Sequence, residues 1–270
     1  MKINLYGTSF IHNIVDGKIS STANKKPNFI EFVTDDTGEI NLFVDLGILN
    51  VNSINSNKKN FAWILESKCI HPELINIFKE NQNFKNNFEQ IYTHNQELID
   101  LDSKFMFLHP TGFWVNENLQ IKKNKLISMI ASSKKKTKGQ KKRNKIANKF
   151  SNKIDLFGEG RKYIKNKEEG LTDYCFSIVV ENDFTNDYFS EKILDCFATK
   201  TVPIYLGSKN ITNYFDETGI IFYKDFNLKK TSFDLYAKMI DGVNNNYEIV
   251  KKYRCPEDTM YEYYLRFLTN

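Results

Sequence analysis

The sequence predicts an α/β protein of two doubly wound, Rossmann-like domains facing a cleft, and three observations support that prediction. Apolar runs of strand length alternate with segments of helical spacing, an order that implies right-handed β-α-β units and parallel sheets. Residues 61–65 (FAWIL) and 174–180 (YCFSIVV) are apolar without alternation, as in strands buried on both faces. The alternation comes in two series meeting near residue 120 of a 270-residue chain, which is long enough for two cores.

Residues 2–6 alternate as a first strand, and Gly7-Thr8-Ser9 turns out of it. Residues 27–47 read as two strand runs around a hairpin-like turn, Asp35-Asp36-Thr37-Gly38. After the strand at 61–65, His71-Pro72-Glu73 opens a helix to about Glu80, because proline suits the first helical turn. Short strands follow at 91–93 and 105–108. The second series starts with a strand at 125–131 and a helix at 139–150, with Ile146, Ala147 and Phe150 on one face and Arg143 in its first turn. Strands at 154–157 and 174–180, a helix at 188–199, strands at 202–206 and 219–223, and a helix at 231–242 complete it. Residues 245–268 read as a closing helix. The expected organisation is one domain over 1–120, a second over 121–245, and a helix over 246–270 that crosses back.

Composition narrows the class. Charged residues make up 26% of the chain, an ordinary globular share that excludes wholesale disorder. The N-terminus is too short and polar for a signal peptide, and no apolar run approaches the roughly 20 residues of a membrane-spanning helix. Four cysteines lie far apart without a CxxC pair, which argues against a zinc cluster and for reduced thiols in a cytoplasmic protein. The net charge of +5 is local: residues 134–153 carry ten Lys/Arg and no acid, and without them 28 basic residues face 33 acidic ones. Such a patch binds anions, either a nucleic acid or a nucleotide.

Ligands of open α/β sheets sit beyond the carboxyl ends of strands, where helices begin. Three such places carry unusual residues. After the strand at 125–131, the helix bearing Arg143 offers free N–H groups and a guanidinium suited to phosphate, beside lysines that otherwise form a solvated loop. Glu181 and Asn182 end the YCFSIVV strand and either meet a ligand or cap the turn 182–187. Glu191 and Lys192 stand in the first turn of the next helix. There Glu suits the helix dipole as a cap, whereas Lys opposes it unless an anion is bound nearby.

The stretch YCFSIVVENDFTNDYFSEKILDCFATKTVPIYLGSKNITNYF at 174–215 resembles the signature of the alpha-1,3-fucosyltransferase family. The blocks F-S-I-x-x-E-N, D-Y-x-T/S-E-K-I and V-P-I-x-x-G occur in order, followed by a closing N-I…F block, with Ser190 where Thr is commoner. KLISMIASSKKKTKGQKKRNKIANKF at 125–150 and HPTGFWV at 109–115 are similar to the compact bacterial and viral members. The resemblance implies a two-domain GT-B glycosyltransferase that inverts at the sugar carbon, uses GDP-fucose and a glycan acceptor, and needs no catalytic metal or other cofactor. It implies that Arg143 and Lys192 hold the diphosphate, Glu191 takes ribose hydroxyls, and Tyr188 and Asn182 line the donor pocket, with Glu181 in support.

Fixed cations near the leaving diphosphate do the work a metal would otherwise do. The one D-x-D triplet, Asp100-Leu101-Asp102, falls in the acceptor half and is read as chance. An inverting transfer also needs a base for the acceptor hydroxyl. The family places a glutamate after an early strand of the first domain, and the fitting position is Glu66 at the end of FAWIL, with His71 and Glu73 next. His94 and His109 read as structural histidines.

Two other functions fit parts of the same sequence. A related transferase for another nucleotide sugar would share the diphosphate and ribose contacts. A non-enzymatic nucleic-acid- or glycan-binding protein would explain the basic segment. Against the nucleic-acid form stands the lack of sheet aromatics placed for base stacking, and against a decayed enzyme the presence of Glu66, Arg143, Glu191 and Lys192.

Overall fold

Parallel pairing runs through both main sheets. A computed structural model of the protein describes residues 1–54, 56–109 and 111–267. The chain divides into two compact units, Met1–Gly112 with Cys255–Asn270, and Phe113–Arg254.

The first unit contains β1 (Lys2–Tyr6), a small antiparallel pair β2 (Ile14–Val15) and β3 (Lys18–Ile19), then β4 (Glu31–Val33), β5 (Ile40–Val44), β6 (Asn60–Ile64), β7 (Ile91–Thr93) and β8 (Phe105–Phe107). Its six-stranded sheet has the order β4-β1-β5-β6-β7-β8. Helices α1 (Pro72–Glu80) and α2 (Gln96–Ile99) follow β6 and β7. Proline stands at the start of α1, and Leu74, Ile75 and Phe78 are its buried face, packed with Phe43, Ala62 and Ile91. Burying such a side chain stabilises the unit by about 1.5–3 kcal/mol.

Residues 27–47 do not form a hairpin. β4 and β5 both pair with β1, which lies between them, Lys2 opposite Glu31 and Ile3 opposite Ile40. Asn4 explains the connection: its side chain accepts from Gly38 N at 2.7 Å and donates to Asn41 at 2.8 Å and Asp36 at 3.0 Å. The turn-like 35–38 segment is thus a crossover fastened to β1.

The second unit holds β9 (Lys125–Ile130), α3 (Lys138–Phe150), β10 (Asp155–Phe157), β11 (Tyr174–Val180), α4 (Glu191–Ala198), β12 (Val202–Leu206) and β13 (Ile221–Phe222). The strand order is β10-β9-β11-β12-β13, and all seven residues of β11 are buried. The expected helix over 231–242 is two, α5 (Phe233–Lys238) and α6 (Ile240–Val250), parted where Met239 leaves helical geometry.

The expected closing helix is likewise broken. α7 (Pro256–Tyr263) starts afresh because Cys255 is extended and Pro256 has no N–H to continue a helix. α7 belongs with the first unit, where Met260 and Leu265 join the β1–β5–β6 core. Buried Glu257 accepts from Ser21 N at 2.6 Å, and Asp258 accepts from Asn28 N at 2.7 Å.

His109 is buried between Thr111 O at 2.8 Å and Thr259 Oγ1 at 3.2 Å, so it is structural. Burial holds its imidazole down, from 6.5 to about 4, against the pull of Thr111 O. The unfolded chain binds this proton between those values and the native protein does not. His109 therefore contributes stability above pH 6.5 that is lost as pH falls toward 4, up to about 3 kcal/mol. Thermal melts from pH 7 to 4 should show a shallower decline for His109→Gln than for the wild type.

Candidate functional site

The strand order of the second unit reverses between β9 and β11, the place where doubly wound sheets hold ligands. α3 leaves β9 there. A capping box starts it: Thr137 Oγ1 accepts from Gln140 N, and Gln140 Oε1 accepts from Thr137 N. Gly139 in its first turn lies against the end of β11. A Cβ there would stand 2.0 Å from Glu181 O and 2.5 Å from Asn182 O, so only glycine allows this approach.

Because α3 begins at Lys138, Arg143 is in its second turn and not its first. The side chain is buried and reaches back to β11. Nε and Nη2 donate to Val180 O at 2.9 and 2.7 Å, and Nη2 also donates to Asn182 Oδ1 at 2.7 Å. Burial pulls the guanidinium down, while Glu181, Glu191 and Tyr188 hold it up. Its bonded partners are neutral oxygens, so its charge is not cancelled at hydrogen-bond range.

Glu181 is fully buried and organises the start of α4. It accepts from Ser190 N at 3.1 Å and from the Ser190 hydroxyl at 2.6 Å, and Ser190 in turn caps the helix by accepting from Lys192 N. Lys192 Nζ donates to Ser190 Oγ at 2.9 Å and to Glu191 at 3.3 Å, and lies 3.8 Å from Glu181. Tyr188, also buried, precedes this cap. The preceding residue, Asp187, takes positive φ and is fastened by Asn210 and Tyr214, both of which donate to its carboxylate. Arg143, Glu181, Asn182, Tyr188, Glu191 and Lys192 thus converge at the carboxyl end of β11.

Two residues of this cluster carry no role in the sequence reading. Lys167 donates to Glu191 at 3.1 Å and to Asp195 at 2.9 Å, and stands 4.4 Å over the Trp114 ring. Asp195 accepts from Trp114 N at 2.5 Å and Val115 N at 3.1 Å, which draws the start of the second unit onto α4. Burial opposes ionisation of Glu191, but Lys167 and then Lys192 bring its carboxyl well below the ordinary range. Burial raises Asp195, against Lys167. An acid four residues after Glu191, between apolar Leu194 and Cys196, is the one signal that could have found Asp195, and Lys167 has none.

In the first unit the corresponding reversal lies at β1, between β4 and β5. Asp45, directly after β5, is buried with positive φ. It accepts from Ser9 Oγ at 2.7 Å, Leu65 N at 2.9 Å and Glu66 N at 3.0 Å. Glu66 therefore sits in a strand-exit turn held at its backbone by a buried carboxylate, which burial raises above the ordinary range. His71 faces Glu73 at 3.2 Å and acts electrostatically on Asp45. Asp102 of the D-x-D triplet accepts from Lys85 Nζ at 2.5 Å and Lys104 N at 2.9 Å, an ordinary structural pairing.

Two doubly wound parallel units, one carrying buried Arg143, half-buried Lys192 and two helix starts at its switch point, make an α/β protein of the GT-B glycosyltransferase type. The family model of the C-terminal part of glycosyltransferase family 10 (fucosyltransferase) matches residues 120–262, and the chain belongs to this family. A curated relative, alpha-(1,3)-fucosyltransferase FucT of Helicobacter pylori, is 33% identical over 84 residues, which are 31% of this chain and only 17% of the relative's length. The fold is similar to a crystal structure of an alpha1,3-fucosyltransferase, with TM-score 0.51 and 15% identity, covering 100% of this chain and 89% of that one. It is also similar to TarM, with TM-score 0.53 and 11% identity over 86% of this chain and 55% of that one.

Proposed function

We propose that the protein transfers fucose from GDP-fucose to a hydroxyl of a glycan, with inversion at the sugar carbon and without a metal. The supporting observation is the convergence of Arg143, Lys192 and the starts of α3 and α4 at the second unit's switch point. Departure of a nucleoside diphosphate builds negative charge on its oxygens, and fixed donors aimed there stabilise the transition state. Arg143 keeps Nη1 for that purpose while its other nitrogens hold β11. Glu191, kept ionised by Lys167 and Lys192, accepts from ribose hydroxyls, and Tyr188 and Asn182 line the donor pocket. A solved alpha1,3-fucosyltransferase of the same fold was determined with GDP, in keeping with this donor class.

Glu66 takes the acceptor proton as the C–O bond to the diphosphate breaks and the new glycosidic bond forms. Among the described residues no helix is long and apolar enough to cross a membrane, and a cytoplasmic site of action is part of the proposal.

A panel of nucleotide sugars read by thermal shift tests it. GDP and GDP-fucose should raise the melting temperature in proportion to the logarithm of their concentration, and UDP-sugars should not. Fucosyl transfer should persist in EDTA. Stabilisation by another nucleotide sugar in place of GDP-fucose overturns the donor, and activity lost in EDTA and restored by manganese overturns the metal-free mechanism.

A further inference from the structure

α3 has two chemically distinct faces. At 3.6 residues per turn, Lys138, Lys141, Lys142, Lys145 and Lys149 fall within an arc of about 100°. All five are exposed, while Gly139, Gln140, Arg143, Asn144, Ile146, Ala147 and Phe150 form the buried side. Lys134, Lys135 and Lys136 before the helix and Lys153 after it are exposed too, and no acid occurs from 134 to 153. Among the described residues none of these nine lysines lies in an ion pair, whereas exposed lysines elsewhere do, as in Lys79–Glu97 and Lys251–Glu248. Like charges three and four residues apart, such as Lys138–Lys142, Lys141–Lys145 and Lys145–Lys149, weaken the helix, and Lys138 and Lys141 near its start oppose the dipole. Donor binding does not use these side chains, because Arg143 points the opposite way into β11. An arrangement this unfavourable to the free helix is relieved by an anionic surface.

We propose that this lysine face of α3 docks the protein on an anionic lipid membrane. The residue chemistry favours lipid over nucleic acid. The stripe consists of lysines, compact point charges suited to a diffuse negative layer, and the one guanidinium of α3 is buried. From 134 to 153 the only aromatic, Phe150, is buried, so the lysine stripe itself carries no ring on which successive bases could stack. The neighbouring loop, joined to α3 by Arg161 Nη2 to Asn144 Oδ1 at 3.0 Å, carries Tyr163, 82% exposed, between exposed Lys162 and Lys165. An exposed aromatic among lysines suits the headgroup layer.

Co-sedimentation of the full chain with vesicles tests the proposal independently of any transfer reaction. The wild type should pellet with phosphatidylcholine vesicles containing about one third phosphatidylglycerol at about 0.1 M salt, and be released near 1 M as the screening length shortens. Neutral phosphatidylcholine vesicles should bind it at least about tenfold more weakly. Replacing Lys138, Lys141, Lys142, Lys145 and Lys149 together by Gln should lower the partition coefficient about tenfold or more, and replacing all five by Arg should preserve it. The Arg variant, together with the melting temperatures of both variants, separates lost charge from lost folding. If the Gln variant does not fold, Lys141→Gln with Lys145→Gln is measured instead, with a several-fold loss expected. Equal binding to neutral vesicles, unchanged binding of the folded Gln variants, or displacement from vesicles by duplex oligonucleotide at equal phosphate concentration would each overturn the proposal.

Discussion

Glu66→Gln should slow fucosyl transfer by about a hundredfold or more while GDP binding stays within about twofold. The amide keeps the shape and hydrogen-bonding reach of the carboxylate but cannot take the acceptor proton. The residue's setting supports the role. Leu65 and Glu66 donate their N–H groups to one oxygen of buried Asp45, whose other oxygen accepts from Ser9, so three strand ends of one sheet fix the turn. Position matters at this level, since small displacements of a base are costly in rate. The wild-type rate should rise with pH through one ionisation, and that limb should vanish in the variant. Glu73→Gln is the control: Glu73 is nearly half exposed and engaged with His71, and its variant should be nearly silent. A wild-type rate in Glu66→Gln moves the base to His71 or Glu73. Loss of GDP binding instead would make Glu66 a structural residue.

The sequence made the frame legible wherever burial alone decides. β11 reads as a buried strand because seven consecutive residues are apolar or small, and all seven are buried. α4 reads from the spacing of Ile193, Leu194 and Phe197, all buried. What stayed illegible depends on which strands become neighbours. The Asp35–Gly38 segment has hairpin chemistry, yet β1, thirty residues earlier, lies between the two strands it joins. Asp45 reads as the end of an apolar run, and acquires meaning only when β1 and β6 flank β5. Arg143 belongs to the second turn whether α3 is counted from 139 or from its observed start at Lys138, which the Thr137–Gln140 capping box, hidden among lysines, sets. Glu181 reads as a supporting residue of the donor site or a cap of the turn 182–187, but its carboxylate anchors Ser190 nine residues on, a distance no local pattern reports. Lys167 is one lysine among many until the fold sets it between two buried acids.

Charge balance at that site ranks the donor-binding variants. Arg143→Lys and Lys192→Ala should each weaken GDP binding, by about ten- to a hundredfold or roughly 1.5–3 kcal/mol, and Arg143→Lys should cost more. Lys192 stands among acids, 3.3 Å from Glu191 and 3.8 Å from Glu181, so much of its field is cancelled before a phosphate arrives. Lys167 is committed to Asp195 and Glu191. Arg143 alone among these three cations bonds only to neutral oxygens, and burial weakens solvent screening of its charge. A lysine at 143 retains the charge but lacks the planar fork, so it cannot hold Val180 and Asn182 and also reach a phosphate. Because Arg143 also fastens α3 to β11, melting without ligand must accompany the titration. A variant that melts near the wild-type temperature yet binds GDP tenfold less tightly has lost a ligand contact, not its fold. Replacing Lys134, Lys135 and Lys136 together by Gln should leave GDP affinity within about twofold, since these exposed charges are screened. Unchanged GDP affinity in folded Arg143→Lys and Lys192→Ala would place the diphosphate away from the β9–β11 switch point. A larger loss from the triple lysine variant than from Arg143→Lys would place it on the exposed loop before α3.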